Sequence, residues 1–157
     1  MKNLRNLLTT PLQLQRIPKW VPLILLAIAL VGFADATYLT IEHYQNEIPP
    51  CTIGGCESVL TSQYSQIIGI PVSLFGSLYY FVLIVLLFLY LDTKKEIFLR
   101  IPVLFSVLGA LASLGLMYIM IFVIKAFCQY CVVSALTSIS IFCLSLWMRC
   151  LSPRAQG

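Results

Sequence analysis

Four long apolar blocks decide what this chain can fold into: approximately Trp20 to Tyr44, Ile70 to Leu91, Ile101 to Ile124 and Cys128 to Met148. Each has about the 20 residues that a helix needs to cross the hydrocarbon core of a bilayer. The apolar residues come in runs rather than at amphipathic spacing. The composition agrees, since 60% hydrophobic and 10% charged residues, with a mean hydropathy of +0.95, lie outside soluble usage. The expected architecture is an all-α integral membrane protein, a four-transmembrane-helix bundle forming a single domain over residues 1–157.

Positive charge orients the bundle. Lys2, Arg5, Arg16 and Lys19 precede the first block, Lys94, Lys95 and Arg100 lie between the second and third, and Arg149 and Arg154 follow the fourth. Only Lys125 falls on the other side, so nine of the ten Lys and Arg residues share one face. The positive-inside rule makes that face cytoplasmic, with both termini inside. The net charge of +4 therefore reports topology, and basic residues scattered about helix ends are no nucleic-acid footprint. A cleaved signal peptide is the competing reading of the N-terminus, because Ala34-Asp35-Ala36 resembles a cleavage site. The helical pattern continues through Tyr38-Leu39-Thr40-Ile41, and the basic leader is long, which argues against cleavage.

This topology places two cysteine pairs on the outer, oxidising side, where disulfides form and persist. One is Cys51 and Cys56, in the loop from about Gln45 to Gly69; the other is Cys128 and Cys131, at the mouth of the fourth block. A two-residue gap at a helix N-terminus is the spacing of a reversible dithiol, because the helix end lowers the thiolate pKa. In the loop, Pro49 and Pro50 hold the chain extended, while Gly54 and Gly55 allow Cys56 to turn toward Cys51 or away from it. Static disulfides or a zinc site are the alternatives; compartment and spacing favour redox activity, and no metal is expected. After Cys56, Val59 and Leu60 are spaced from Ile67 and Ile68 at roughly helical intervals, which predicts a short amphipathic helix at the outer interface between spans one and two.

The residues also carry a resemblance. Four helices, a loop cysteine pair, Ser62 six residues beyond Cys56, the run Gly69-Ile70-Pro71-Val72-Ser73-Leu74-Phe75-Gly76 and the late Cys128 to Cys131 motif together resemble the vitamin K epoxide reductase family, especially its bacterial members. The resemblance implies a bundle enclosing a quinone, ubiquinone or menaquinone, in a bacterial plasma (inner) membrane. Cys51 would exchange with a reduced thioredoxin-fold partner of the DsbA type, Cys56 would then attack Cys128, and Cys131 would face the quinone. Ser62 matches the family's Ser or Thr near the thiols, and Phe75, near the outer end of span two, is a candidate quinone contact. The expected outcome is disulfide bonds in exported proteins.

Some features depart from that pattern. Some eukaryotic members have Asn at the position of Val72 and Tyr at that of Ala135, so reduction of vitamin K epoxide itself is not expected here. Some bacterial relatives continue into a fused thioredoxin-like domain, whereas this chain stops at Gly157, so the redox partner is expected to be a separate polypeptide. DsbB-type oxidases have the CxxC in the first loop and the wider pair in the second; here the order is reversed.

Asp35 lies inside span one, where a carboxyl faces the bundle interior or water, either hydrogen-bonded or delivering protons to the quinone. Lys125 stands three residues before Cys128 and either supports its thiolate or snorkels to the headgroups. His43 reads as a solvated flank and Cys143 and Cys150 as spectators, while Ser106, Gly109, Ala112, Ser113 and Gly115 suit close helix packing. No nucleotide loop, zinc-protease motif or hydrolase elbow occurs. A rival of another class is a non-enzymatic assembly or transporter subunit with static disulfides, but clear internal repeats and broken helices are lacking.

Overall fold

The computed structural model describes residues 20–51, 55–95 and 97–151. The long helices are α1 (Trp20–Gln45), α3 (Val72–Thr93), α4 (Ile97–Tyr118) and α5 (Gln129–Leu151), with a short α2 (Cys56–Leu60) in the connection after α1. Stretches long and apolar enough to cross a membrane cover Trp20–Gln45, Val72–Thr93, Ile101–Ile124 and Gln129–Met148, within two residues of the blocks visible in the sequence. In hydrocarbon every backbone N–H and C=O must be satisfied within the protein, which makes such runs helical. Large apolar side chains such as Leu30, Phe88, Leu108 and Phe122 face outward along the helices, as a lipid-solvated bundle requires. The chain is a multi-pass membrane protein.

The four long helices form a ring in the order α1, α3, α4, α5, each packed on two neighbours. Small residues permit the closest approach. Ala29, Gly32 and Ala36 recur along one face of α1; at Gly32 a Cβ would collide with the Tyr80 ring of α3, and at Gly76 it would lie 3.5 Å from Ala36. Val21, Leu25, Leu83, Leu87, Leu99, Val103 and Met148 fill the core of the end away from the cysteines. That end also carries Trp20 and Trp147, with ring centroids 6.1 Å apart, as an interfacial aromatic pair does. Lys94 and Lys95 lie at the same end; Lys2, Arg5, Arg16, Lys19 and Arg154 fall outside the described residues, as does Gly54.

The loop after α1 differs from the helical spacing of its apolar residues. α2 ends at Leu60, because the Thr61 and Ser62 hydroxyls bond back to the Glu57 and Val59 carbonyls and Ser62 turns extended. A 3-10 turn, Gln63–Ser65, leads into the hairpin of β1 (Gln66–Ile67) and β2 (Ile70–Pro71). Ile67 pairs with Ile70, and the two residues between them, Ile68 and Gly69, both have positive φ. That is the geometry of a two-residue hairpin turn, so Ile67 and Ile68 belong to the hairpin rather than to the short helix.

After Tyr118 the α4 helix widens into a π-helical segment, Ile119–Ile124. Lys125, in the left-handed conformation at φ 55°, ends it and turns the chain toward α5. Cys51, Cys56, Cys128 and Cys131 consequently all lie at one end of the bundle, where α1 and α4 finish and α3 and α5 begin.

Candidate functional site

The Cys128 to Cys131 motif is built as a helix cap. The Cys128 carbonyl accepts the Val132 N–H (3.1 Å), the first bond of α5, and the Cys128 sulfur accepts the Cys131 N–H (3.5 Å). Sulfur thus takes the part that an Asp or Ser oxygen plays at an ordinary N-cap, at the positive end of the helix dipole. The Cys128 N–H donates to the Met120 sulfur (3.4 Å), which the π-helical segment turns inward.

Cys128 is fully buried and is the last residue before the fourth span. A hydrogen bond from the Cys131 thiol, helped by the Cys131 and Tyr130 backbone N–H groups, lowers its pKa to about 7 from the usual 9.0, against burial and the Asp35 charge, which raise it. A thiol in that range is partly thiolate at neutral pH and is suited to exchange. Lys125 is exposed; the Cys128 thiolate owes its stabilisation to Cys131 and the helix amides instead.

Cys51 and Cys56 are joined by a disulfide, with Cα atoms 6.1 Å apart, while Cys128 and Cys131 are free thiols. Cys56, Val59, Met120 and Cys128 form one buried cluster, against which Cys51 and Cys131 pack. Gly55 makes this approach possible. It caps α2 at φ 105°, and a Cβ there would lie 3.1 Å from the Phe127 carbonyl oxygen and 3.2 Å from its nitrogen. Backbone therefore meets backbone one residue before Cys56 and one residue before Cys128. Tyr130 and Gln129 add two hydrogen bonds to the Pro50 carbonyl, beside Cys51.

Beneath this cluster a cavity of about 860 Å³ extends between the helices, and Cys131 stands on its wall. Ser62 and Phe75 also line it, with the Ser62 hydroxyl donating to the Val59 carbonyl (2.7 Å). Leu39, Val59, Leu116, Met117 and Met120 contribute apolar wall, and Glu42, His43 and Gln66 lie at the loop end. Size and lining suit an apolar ring compound with a few polar atoms. Val72 and Ala135 are part of the apolar wall.

Tyr79 and Tyr80 stand among several aromatic residues of the second and third spans, and nothing in their spacing singles them out. Tyr80 is buried, and its hydroxyl reaches the Ser134 carbonyl (2.9 Å) and the Thr137 hydroxyl (2.7 Å) on α5. It pins α3 to α5 one turn below Cys131, and Tyr79 and Ser138 line the cavity deeper still. The signal was available as a hydroxyl pair in the middle of an apolar block. Asp35 has a buried carboxylate oxygen with no hydrogen-bond partner. Cys143 is exposed on the outer surface, away from the other thiols, and the Cys150 side chain lies outside what is described. Of the small residues in α4, Gly109, Ala112 and Ser113 face the cavity, while Gly115 meets nothing within 4 Å. Among the described residues no group of three His, Cys, Asp or Glu side chains is placed to hold a metal.

The sequence model of the vitamin K epoxide reductase family matches residues 23–146, from the first span to the fourth and including all four clustered cysteines. Members of this family carry out thiol–disulfide oxidoreduction in membranes, use quinones and work with a thiol partner. The chain belongs to the vitamin K epoxide reductase family.

Proposed function

We propose that this protein is a thiol:quinone oxidoreductase that takes electrons from a separate thioredoxin-fold protein of the DsbA type and passes them to ubiquinone or menaquinone, so that disulfide bonds form in exported proteins. The observation that carries the reading is the placement of two cysteine pairs in one cluster, with the inner cysteine, Cys131, on the wall of a large apolar cavity.

The relay follows from accessibility. Cys51 is half-buried and Cys56 fully buried, so a reduced partner attacks the Cys51 sulfur, and its second thiol resolves the mixed disulfide. Two thiols are left in the loop and one disulfide in the partner. Cys56 then attacks Cys128 of an oxidised Cys128–Cys131 pair, Cys131 leaves, and Cys51 closes on Cys56. Two electrons and two protons have moved inward, and the free Cys128 and Cys131 thiols beside a loop disulfide are the state this step produces. The neutral-range pKa of Cys128 makes its sulfur both a competent attacking group and a competent leaving group.

A quinone bound beside Cys131 supplies a two-electron, two-proton acceptor, which balances the hydrogens lost when Cys128 and Cys131 close. Ser62, Phe75 and Cys131 would hold it, in a cavity with a largely apolar wall. The distribution of basic residues supports termini on the cytoplasmic side and cysteines facing the periplasm or exterior of a bacterial plasma membrane.

The test is reoxidation of a reduced thioredoxin-fold partner by the purified protein and a soluble quinone, comparing wild type with Cys131→Ala. Quinone-dependent oxidation lost in the variant is expected. No turnover with several partners and quinones would leave static disulfides and a structural role.

A further inference from the structure

We propose that Met120 is a positioning residue of the thiol site: its sulfur takes the Cys128 N–H, and the Cys131 thiol is thereby left free to hold the Cys128 sulfur. The consequence for the relay rests on the thiol:quinone reading above, since a Cys131 thiol that need not cap the backbone stays available to the quinone.

The start of α5 is half of a capping box. In the full motif the N-cap side chain takes the N–H of the third helical residue, and that residue's side chain reaches back to the N–H of the N-cap. Here Cys128 is the N-cap and Cys131 the third residue. The first bond is present, from the Cys131 N–H to the Cys128 sulfur at 3.5 Å. The reciprocal bond comes from elsewhere: the Cys128 N–H donates to the Met120 sulfur at 3.4 Å, eight residues back in the chain. Cys128 is fully buried, and a buried N–H without an acceptor is costly enough to recruit one. The side chain that a capping box would recruit is Cys131, whose thiol instead bonds the Cys128 sulfur.

Met120 is held for this task by its own backbone. Its carbonyl accepts the N–H of Lys125, which ends the π-helical segment, and the N–H of Ala126 at 3.4 Å. One residue thus ties down the connector at Lys125, Ala126 and Cys128. Within the same segment Ile121, Phe122 and Val123 are exposed, whereas Met120 is 2% exposed. It packs with Cys56, Val59 and Cys128 in the buried cluster and also stands on the cavity wall. π-helical turns are rare and frequently mark functional positions. A leucine would fill similar space and accept nothing, whereas a thioether is a weak acceptor.

The Cys128 thiolate reads the arrangement without turnover. Thiolate ultraviolet absorbance is followed against pH in the full-length protein with Cys51 and Cys56 replaced by serine, alone and with Met120→Leu or Met120→Gln. Asp35 of α1 and Tyr130 and Cys131 of α5 act on Cys128, Glu57 of α2 and Lys125 stand on neighbouring segments, and all five are kept. In Met120→Leu the Cys131 side chain is drawn to the Cys128 N–H. The midpoint should rise from about 7 by about one unit, leaving the thiolate fraction at pH 7 about fivefold lower. Met120→Gln, whose amide oxygen accepts the N–H, should keep the midpoint near that of the parent. A packing role predicts the reverse order, because leucine suits an apolar site and glutamine does not. Adding Met120→Leu to Cys131→Ala should move the midpoint no further than Cys131→Ala alone, since Met120 acts through Cys131. An unchanged midpoint in Met120→Leu, equal shifts in the two Met120 variants, or a further rise in the double variant would each overturn the proposal. Hydrogen exchange on the wild type needs no variant: the Cys128 amide should be protected as the interior amides of α5 are, and exchange as fast as that of an exposed loop would overturn the proposal too. The expected shifts in a protein that oxidises no dithiol with any quinone would support the Met120 bond and defeat the reading of the preceding section.

Discussion

The Tyr130 hydroxyl donates to the Pro50 carbonyl oxygen over 3.1 Å, a bond between residues 80 positions apart. Each is the immediate neighbour of a cysteine, Cys131 in one case and Cys51 in the other. Tyr130 is itself held by Tyr38 of α1, with ring centroids 5.6 Å apart. The bond holds the loop pair over the CxxC pair, so Tyr130→Phe should slow exchange between Cys56 and Cys128. Loss of one hydrogen bond near 1 kcal/mol corresponds to about 5-fold in rate. Single-turnover oxidation of the loop dithiol, followed by thiol trapping, should show this drop, while quinone oxidation of the Cys128 and Cys131 thiols keeps its rate.

Proton linkage at Cys128 has a definite sign. Its pKa is depressed from 9.0 to about 7, so the thiolate fraction rises between about pH 6 and 8 and levels off above. The rate of the reverse exchange, in which the Cys128 thiolate attacks the Cys51–Cys56 disulfide, should follow that curve. Cys131→Ala removes the largest stabilising contact of the thiolate and should move the midpoint upward; Asp35→Asn removes a charge that opposes the thiolate and should move it downward. Thiolate ultraviolet absorbance against pH, measured with Cys51 and Cys56 replaced by serine, reads all three midpoints. Identical midpoints in wild type and Cys131→Ala would refute the hydrogen-bond account.

The four spans were legible because bilayer thickness imposes a length on apolar runs, and Trp20, Thr93 and Met148 bound them in the structure much as the sequence does. The meeting of the two cysteine pairs at one end follows from counting spans. Which side of each span faces inward was not legible, because helices apolar all round carry no moment to read. Tyr80 and Phe81 are adjacent in sequence, yet Tyr80 is 2% exposed and Phe81 51%; the Gly32 notch in α1 and the Ser134 and Thr137 partners on α5, which set them apart, lie far away in the chain. Likewise nothing in Val59, Leu60, Ile67 and Ile68 betrays that Ser62 breaks the helix between them. A β-branched Ile68 at φ 55° is not a residue that announces a turn.

Gly32 and Tyr80 set the distance between α1, α3 and α5. Gly32→Ala would drive a methyl group into the Tyr80 ring, and overpacking of a tight interface costs about 1–3 kcal/mol. The Tyr80 hydroxyl would shift with its ring and weaken its bonds to Ser134 and Thr137. A lower melting temperature in detergent is expected for Gly32→Ala and also for Tyr80→Phe, which deletes the two bonds and keeps the ring. The double variant should lose less than the sum of the two, since both act on one contact; additive losses would show the two residues to be independent.

Gly55 carries the sharpest demand on residue type in the loop. Its φ of 105° lies where a Cβ is strained, at a cost of about 1–2 kcal/mol. The same Cβ would also press on the Phe127 backbone at 3.1 Å, which has no flexible end to yield. Gly55→Ala should therefore lift α2 away from the start of α5 and separate Cys56 from Cys128. The Cys51–Cys56 disulfide would still form and still accept electrons from a reduced partner, because Cys51 is only half-buried at the edge of the cluster. Transfer onward should fall at least about 10-fold, the equivalent of 1.4 kcal/mol. Trapping of the Cys56–Cys128 mixed disulfide in a Cys51→Ala, Cys131→Ala background reads the effect directly: abundant in the background protein, scarce once Gly55→Ala is added. Equal trapping in both would mean that the loop reaches Cys128 by a route that does not need the close backbone approach at Gly55.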